Sequence, residues 1–219
     1  MPTNDFNGRL ATLEKVPAGT LLHRILPTFA PYAANSYNPT FVNLGYPLQG
    51  RFEPAATELG GYTYVAESVT GAVAEGILRN VNIPKSGIAR HMWLKDKKIA
   101  TMELEEDILV AAIYGQHALA LNLDASLLCG GADVYTDCRE IGTKILLAQE
   151  EARGIKYTCR NNTAATALML VTRDGDGPRM SVKEERDVLV DDQGRKLILE
   201  TMATDYGLHY LGPIPGQRS

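Results

Sequence analysis

The chain is short of the residues that mark several specialised classes. Its three cysteines (Cys129, Cys138, Cys159) are an odd, sparse set with no CxxC pair. That excludes the disulfide framework of a small secreted domain and suits reduced thiols in the cytoplasm. Histidine is scarce as well, and His23, His91, His117 and His209 lack the spacing of zinc ligands. No window approaches the ~20 apolar residues of a membrane span. The opening MPTNDFNGRLATLEKVP has no basic start followed by an apolar run, so no signal peptide is expected. These absences point to a cytoplasmic protein with no membrane partner and no bound metal.

Excess positive charge is also missing. Lys and Arg number 22 against 26 Asp and Glu, a formal net charge of -4. The densest basic run, KDKK at Lys95–Lys98, reads as a hairpin turn, so direct nucleic-acid binding is not expected. HExxH, the P-loop, GxSxG and a GxGxxG after a strand are all absent. DGDG at residues 174–177 lacks the twelve-residue calcium pattern and reads as a turn. There is no internal repeat.

What is present is ordinary globular composition, 45% hydrophobic and 22% charged. At 219 residues the chain can bury roughly 70% of its unfolded surface without staples. TLLHRI (Thr20–Ile25), YTYVA (Tyr62–Ala66), IARHMWL (Ile88–Leu94), KIATMEL (Lys98–Leu104), HALALNL (His117–Leu123), IKYTC (Ile155–Cys159) and TALMLVT (Thr166–Thr172) read as strands. EEDILVAAIYG is ambiguous between helix and strand. VTGAVAEGILRN reads as a helix capped by Ser68, and CREIGTKILLAQEEAR as one capped by Thr136 or Asp137 and stopped by Gly154. Residues 1–18 read as a polar arm, and Leu26–Gly61 as a long Pro-, Asn-, Tyr- and Gly-rich loop of the kind that tends to be functional. DVLVDDQGRKLILET reads as a hairpin turning at Asp192-Gln193-Gly194, and GPIPGQRS as a mobile tail. Strands do not alternate strictly with helices. A mixed α+β fold with mostly antiparallel sheets is therefore expected, with one domain over 1–175 and a C-terminal β extension over 176–219.

Few side chains suggest chemistry. Glu75 projects nearly opposite the Val69, Val73, Ile77 face of its helix, and a solvated glutamate is the commoner fate of such a position. The small residues Ser68 and Gly71 beside it would leave room for a ligand. Arg24 and Arg51 border the long loop and could each bind phosphate oxygens, or else form surface ion pairs. Tyr62 and Tyr64 share one side of their strand, as core or as a stacking wall. Cys159 ends a strand just before Arg160. An inert thiol is the usual case, and no base is evident to activate it.

Taken in order, LHRI, GRF (Gly50–Phe52), YVAESVTGAVAE and GIKYTCR resemble the RES family, named for an arginine, a glutamate and a serine. The resemblance spans about Thr20 to Arg173 and leaves the C-terminal segment unexplained. It implies an ADP-ribosyltransferase-like fold and a toxin of a bacterial toxin–antitoxin pair that degrades NAD⁺ by phosphorolysis or hydrolysis. By that resemblance, Arg24 and Arg51 would hold the pyrophosphate or an incoming phosphate, and Tyr64 would pack on the nicotinamide. Glu75 would hold the ribose and stabilise the cation formed at bond breakage. Cys159, with Arg160 next to it, would line the pocket. NAD⁺ is then substrate, with inorganic phosphate as co-substrate, no separate cofactor, and an antitoxin protein as partner. Homo-oligomerisation is left open. Two positions depart from the family: Cys159 stands where serine is expected, and Glu53 where asparagine is common. Sulfur is larger than oxygen and a poorer donor. The departures keep open ADP-ribosyl transfer to a macromolecule, a catalytically weak antitoxin-binding module and a cysteine hydrolase.

Overall fold

Ten strands and six α-helices are found among the residues that the computed structural model describes, 6–39 and 50–213. In chain order the strands are β1 (Thr12–Val16), β2 (Leu21–Pro27), β3 (Tyr62–Ala66), β4 (Ile88–Ala89), β5 (Lys97–Leu104), β6 (Ile108–Ile113), β7 (Ala152–Cys159), β8 (Asn162–Val171), β9 (Met180–Asp187) and β10 (His209–Tyr210). The helices are α1 (Val69–Gly76), α2 (His91–Leu94), α3 (Gly115–Ala120), α4 (Ala125–Cys129), α5 (Tyr135–Ala148) and α6 (Asp192–Tyr206). Part of the arm, the middle of the long loop (40–49) and the last six residues lie outside the described residues.

Eight strands form one sheet in the order β1-β6-β7-β8-β3-β2-β5-β9, antiparallel except for β6 against β7. A parallel pair needs a crossover, and α3, α4 and α5 supply it. Alternation sorts the two faces. Tyr62 and Ala66 of β3, Tyr157 and Cys159 of β7 and Ala167 and Met169 of β8 join one core with Cys138, Ile141 and Ile145 of α5. Val65, Leu168 and Leu170 point the other way, into a second core with Leu22, Met102 and Val110. A third core clamps α1 between the sheet and α6, through Val73, Leu78, Ile99, Ile198 and Met202.

β2 and β3 share a single register pair, His23 with Ala66, whereas β2 runs along β5 for seven. Beyond that pair the two strands diverge, and the gap they leave becomes the site.

Several sequence expectations are corrected. The hairpin at 187–201 is the end of β9 followed by α6, whose first turn Asp191 caps by accepting from the Gly194 N–H. The Asp-Gln-Gly triplet is therefore a helix start: an Asx cap and a tight turn carry the same residues. Gly194 serves close packing, since a Cβ there would stand 2.5 Å from the Asp187 carbonyl oxygen. HALALNL is helical over α3, where Ala favours helix and Leu119 is left exposed. IARHMWL contains only two strand residues before α2. Asp96 does turn the chain, with φ of 56°, but it joins α2 to β5. The polar arm contains β1, paired with β6, the ambiguous segment that resolves as a strand. α5 has no side-chain cap and ends before Gln149. Gly154 lies instead in β7, where a Cβ would come 2.3 Å from the Met169 carbonyl oxygen of β8.

Candidate functional site

The cleft opened by the β2–β3 divergence is closed on its third side by α1. His23, Arg24 and Ile25 line it from β2, Tyr64 and Val65 from β3, and Ala72, Glu75 and Gly76 from α1, with Arg79 just beyond the helix. Its volume is about 160 Å³.

Glu75 enters the cleft because α1 is covered on both sides. Ser68 caps the helix as expected, accepting from the Gly71 N–H at 3.1 Å. Val73 and Ile77 then face α6, while Ala72 and Ala74 face the main core. A carboxylate opposite the valine face meets protein where a single-sided helix would show it to water. The small residues serve packing. A Cβ on Gly71 would lie 2.8 Å from the Thr166 carbonyl oxygen, and one on Gly76 2.6 Å from Ile25 Cβ. Gly71 therefore seats the helix on the sheet and leaves no room for a ligand on its side.

Both oxygens of Glu75 are held. Oε2 accepts from the Tyr157 hydroxyl at 3.0 Å, and Oε1 stands 3.5 Å from Arg51 Nη2. The Glu75 side chain is 12% exposed and that of Arg51 only 3%. Arg51 donates to the carbonyl oxygens of Leu128 and, at 2.8 Å, Thr158, and its guanidinium lies 4.7 Å from the Tyr157 ring centre and 5.3 Å from that of Phe52. Burial disfavours this cation, yet Glu75 and the surrounding rings outweigh it and raise its pKa. Burial and the Glu75 charge push the Tyr157 phenol well above its ordinary value, so it stays a donor to the carboxylate.

Arg24 shares the cleft but its guanidinium is engaged elsewhere, donating to the Ala34 and Ser36 carbonyl oxygens at 2.8 and 3.0 Å and lying 5.6 Å from the Tyr32 ring. Tyr64 stands edge-on to Tyr62 and Tyr157, and its oxygen accepts from the Phe52 N–H at 2.9 Å. Tyr62 donates to the buried Glu53 at 2.8 Å. Cys159 is fully buried, 4.0 Å from the Gly71 carbonyl oxygen. Burial and the nearby Glu75 charge push its thiol far up, which leaves it no character as a nucleophile. Arg160 does not line this cleft; it donates to the Arg79 carbonyl oxygen at 3.2 Å and lines a neighbouring hollow.

Arg79 and Tyr157 did not stand out in sequence. The Arg79 guanidinium lies 5.4 Å from the Tyr64 ring and 5.5 Å from that of Tyr135. Burial opposes its charge, but Tyr64 and Tyr135 hold its pKa above the usual value. The i, i+4 spacing of Glu75 and Arg79 was the available signal. Tyr157 is the tyrosine of the GIKYTCR stretch, but its contact with Glu75, 82 residues away, left no local signal.

The arrangement presents one fixed carboxylate, a phenol ring and two arginines to a single cleft. Among the described residues no group of His, Cys, Asp and Glu could hold a metal, and no helix is long and apolar enough to cross a membrane.

Comparison with known proteins bears on the same features. No curated protein matches the chain in sequence. In structure it is similar to a chain of the M. tuberculosis MbcT–MbcA toxin–antitoxin complex, with a TM-score of 0.60 at 14% identity, over 84% of this chain and 91% of that one. The sequence model of the RES domain matches residues 21–191, which takes in the whole cleft. The chain therefore belongs to the RES domain family.

Proposed function

We propose that this protein is the toxin of a toxin–antitoxin pair and that it cleaves the nicotinamide–ribose bond of NAD⁺. The observation that carries the reading is the Glu75 carboxylate, held by Tyr157 and Arg51 at the wall of a cleft that also presents Tyr64 and Arg79. Family membership, and likeness to a chain of a toxin–antitoxin complex, support the biological half of it.

The chemistry needs little. As the C1′–N bond breaks, its electron pair passes to the ring nitrogen and nicotinamide leaves neutral, so no acid has to protonate it. Positive charge gathers on the ribose C1′ and ring oxygen. A preorganised carboxylate beside that carbon stabilises the transition state more than the ground state, and removing such a group costs on the order of 3 kcal/mol, about a hundredfold in rate. Tyr157 and Arg51 keep Glu75 from rotating away. Phosphate or water then bonds to C1′, giving the ADP-ribose phosphate ester or, with loss of one proton, free ADP-ribose. Arg79 and the Tyr64 ring would hold the leaving ring and its sugar. Cys159, fully buried and protonated, does not line the cleft and would take no part.

The test is nicotinamide release from NAD⁺ by the purified chain, with and without inorganic phosphate. Release by wild type and a loss of about a hundredfold in Glu75→Ala are expected. Equal turnover by a folded Glu75→Ala protein would overturn the reading.

A further inference from the structure

A cleft of about 160 Å³ is small beside the ~300–1,000 Å³ of sites that enclose a drug-sized ligand. It is too small to enclose a whole dinucleotide, so the pyrophosphate and adenosine must lie elsewhere. Of the arginines first associated with phosphate, Arg51 has both amino groups engaged, by the Leu128 and Thr158 carbonyl oxygens and by Glu75, and Arg24 turns one amino group to the Ala34 and Ser36 carbonyl oxygens of its own loop.

A second hollow of about 550 Å³ adjoins the cleft, lined by Asn80, Asn82, Gly131, Tyr135, Arg139 and Arg160. Arg79 is the partition: it lines the cleft, its guanidinium lies against Tyr135 of the hollow, and its carbonyl oxygen accepts from Arg160. The hollow has two guanidinium groups on its wall and no carboxylate. Arg160 donates to Arg79, and Arg139 to the Gly50 carbonyl oxygen and to Thr136, so each is oriented with N–H groups to spare. Among the described residues neither is in an ion pair, although the Asp133 carboxylate lies close by, next to Gly131. A pair of oriented arginines outside any direct ion pair, with N–H groups to spare, is a site for phosphate oxygens.

We infer that this second hollow binds the pyrophosphate-linked adenosine half of the dinucleotide, with Arg139 and Arg160 taking the phosphate charge. The inference rests on the dinucleotide reading above. Free inorganic phosphate offers the same chemistry, and separate titrations with phosphate and with ADP-ribose distinguish the two.

Calorimetric titration of the full chain with ADP-ribose tests it. Wild type is expected to bind, and Arg139→Gln and Arg160→Gln to bind at least tenfold more weakly. Asn82→Asp, at an exposed position that tolerates a charge, should weaken binding about as much by repulsion, and covers the case in which an arginine variant fails to fold. Undiminished ADP-ribose binding in the folded variants, or none by wild type, would overturn the assignment. So would variants that lose inorganic phosphate alone while keeping ADP-ribose. A wild type that binds ADP-ribose through these arginines but releases no nicotinamide keeps the subsite and refutes only the cleavage reading.

Discussion

At Glu75, position matters more than residue type. Any helix can carry a glutamate; this one is held at one oxygen by a phenol and at the other by a guanidinium. Tyr157→Phe should keep the ring and lose the anchor, lowering kcat about tenfold with little change in KM, as measured by nicotinamide release. The thiols give a second test at this scale. Cys159 is held far above its ordinary pKa by burial and Glu75, and Cys138 is pushed up to about 12 by burial. Both stay protonated at pH 8, so alkylation of the folded chain should stop at Cys129, the one partly exposed cysteine, and leave turnover intact. Mass mapping showing Cys159 modified in native protein would contradict this geometry.

Among the elements, α1 shows how an amphipathic pattern misleads. Its valines mark one face correctly, but the opposite face is not solvent, because α6 covers the valine side and the sheet lies beneath the other. No local pattern could reveal that α6 comes back over α1, since Asp192 lies 116 positions beyond Gly76. Gly76→Ala is the informative change. Its Cβ would stand 2.6 Å from Ile25, so the helix must lift from β2, at a cost of about 1–3 kcal/mol. Turnover should fall further than stability alone requires, because Glu75 moves with the helix. A drop in Tm with unchanged kcat would show that the carboxylate tolerates displacement. α6 was misread because Asp-Asp-Gln-Gly serves equally as a hairpin turn or as an N-cap with its first turn.

For the molecule as a whole, the C-terminal strand and helix belong to the core. Val188, Leu189, Ile198 and Met202 are at most 3% exposed and pack with Val73, Leu94 and Ile99. At about 1.5–3 kcal/mol each, their loss approaches the ~5–15 kcal/mol that holds a whole domain. A chain ending at residue 175 should therefore fail to fold, as read by circular dichroism and protease resistance. A charged cluster on the opposite half adds a pH window. Lys156 of β7 bridges Glu14 of β1 at 2.6 Å and Glu67 at 2.7 Å. Burial disfavours the Glu14 and Lys156 charges. Even so, the Lys156 and Tyr114 hydrogen bonds carry Glu14 below its ordinary 4.5, and the two carboxylates carry Lys156 above its ordinary 10.5. The Glu14 contribution is thus present above about pH 4.5 and lost as pH falls through the depressed value. That of Lys156 is present below about pH 10.5 and lost as pH rises through the raised one. Lys156→Met should cost about 1–2 kcal/mol at neutral pH, discounted because both carboxylates are partly exposed, and should flatten the pH dependence of Tm at both ends.

Sequence alone determined the α+β class, the central strands, the Ser68 cap, the family and three of the residues that line the cleft, Arg24, Tyr64 and Glu75. These are matters of local alternation, short-range capping and motif order, all written within a few neighbouring positions. Tertiary structure decided which face of α1 is covered, that β2 and β3 part after one pair, that Tyr157 and Arg51 grip Glu75, and that Arg24 turns to its own loop while Arg160 enters a second hollow. Each of these depends on residues tens of positions apart being brought together by the sheet order, and a side chain's partners across a sheet are set by register, which no local stretch of sequence contains.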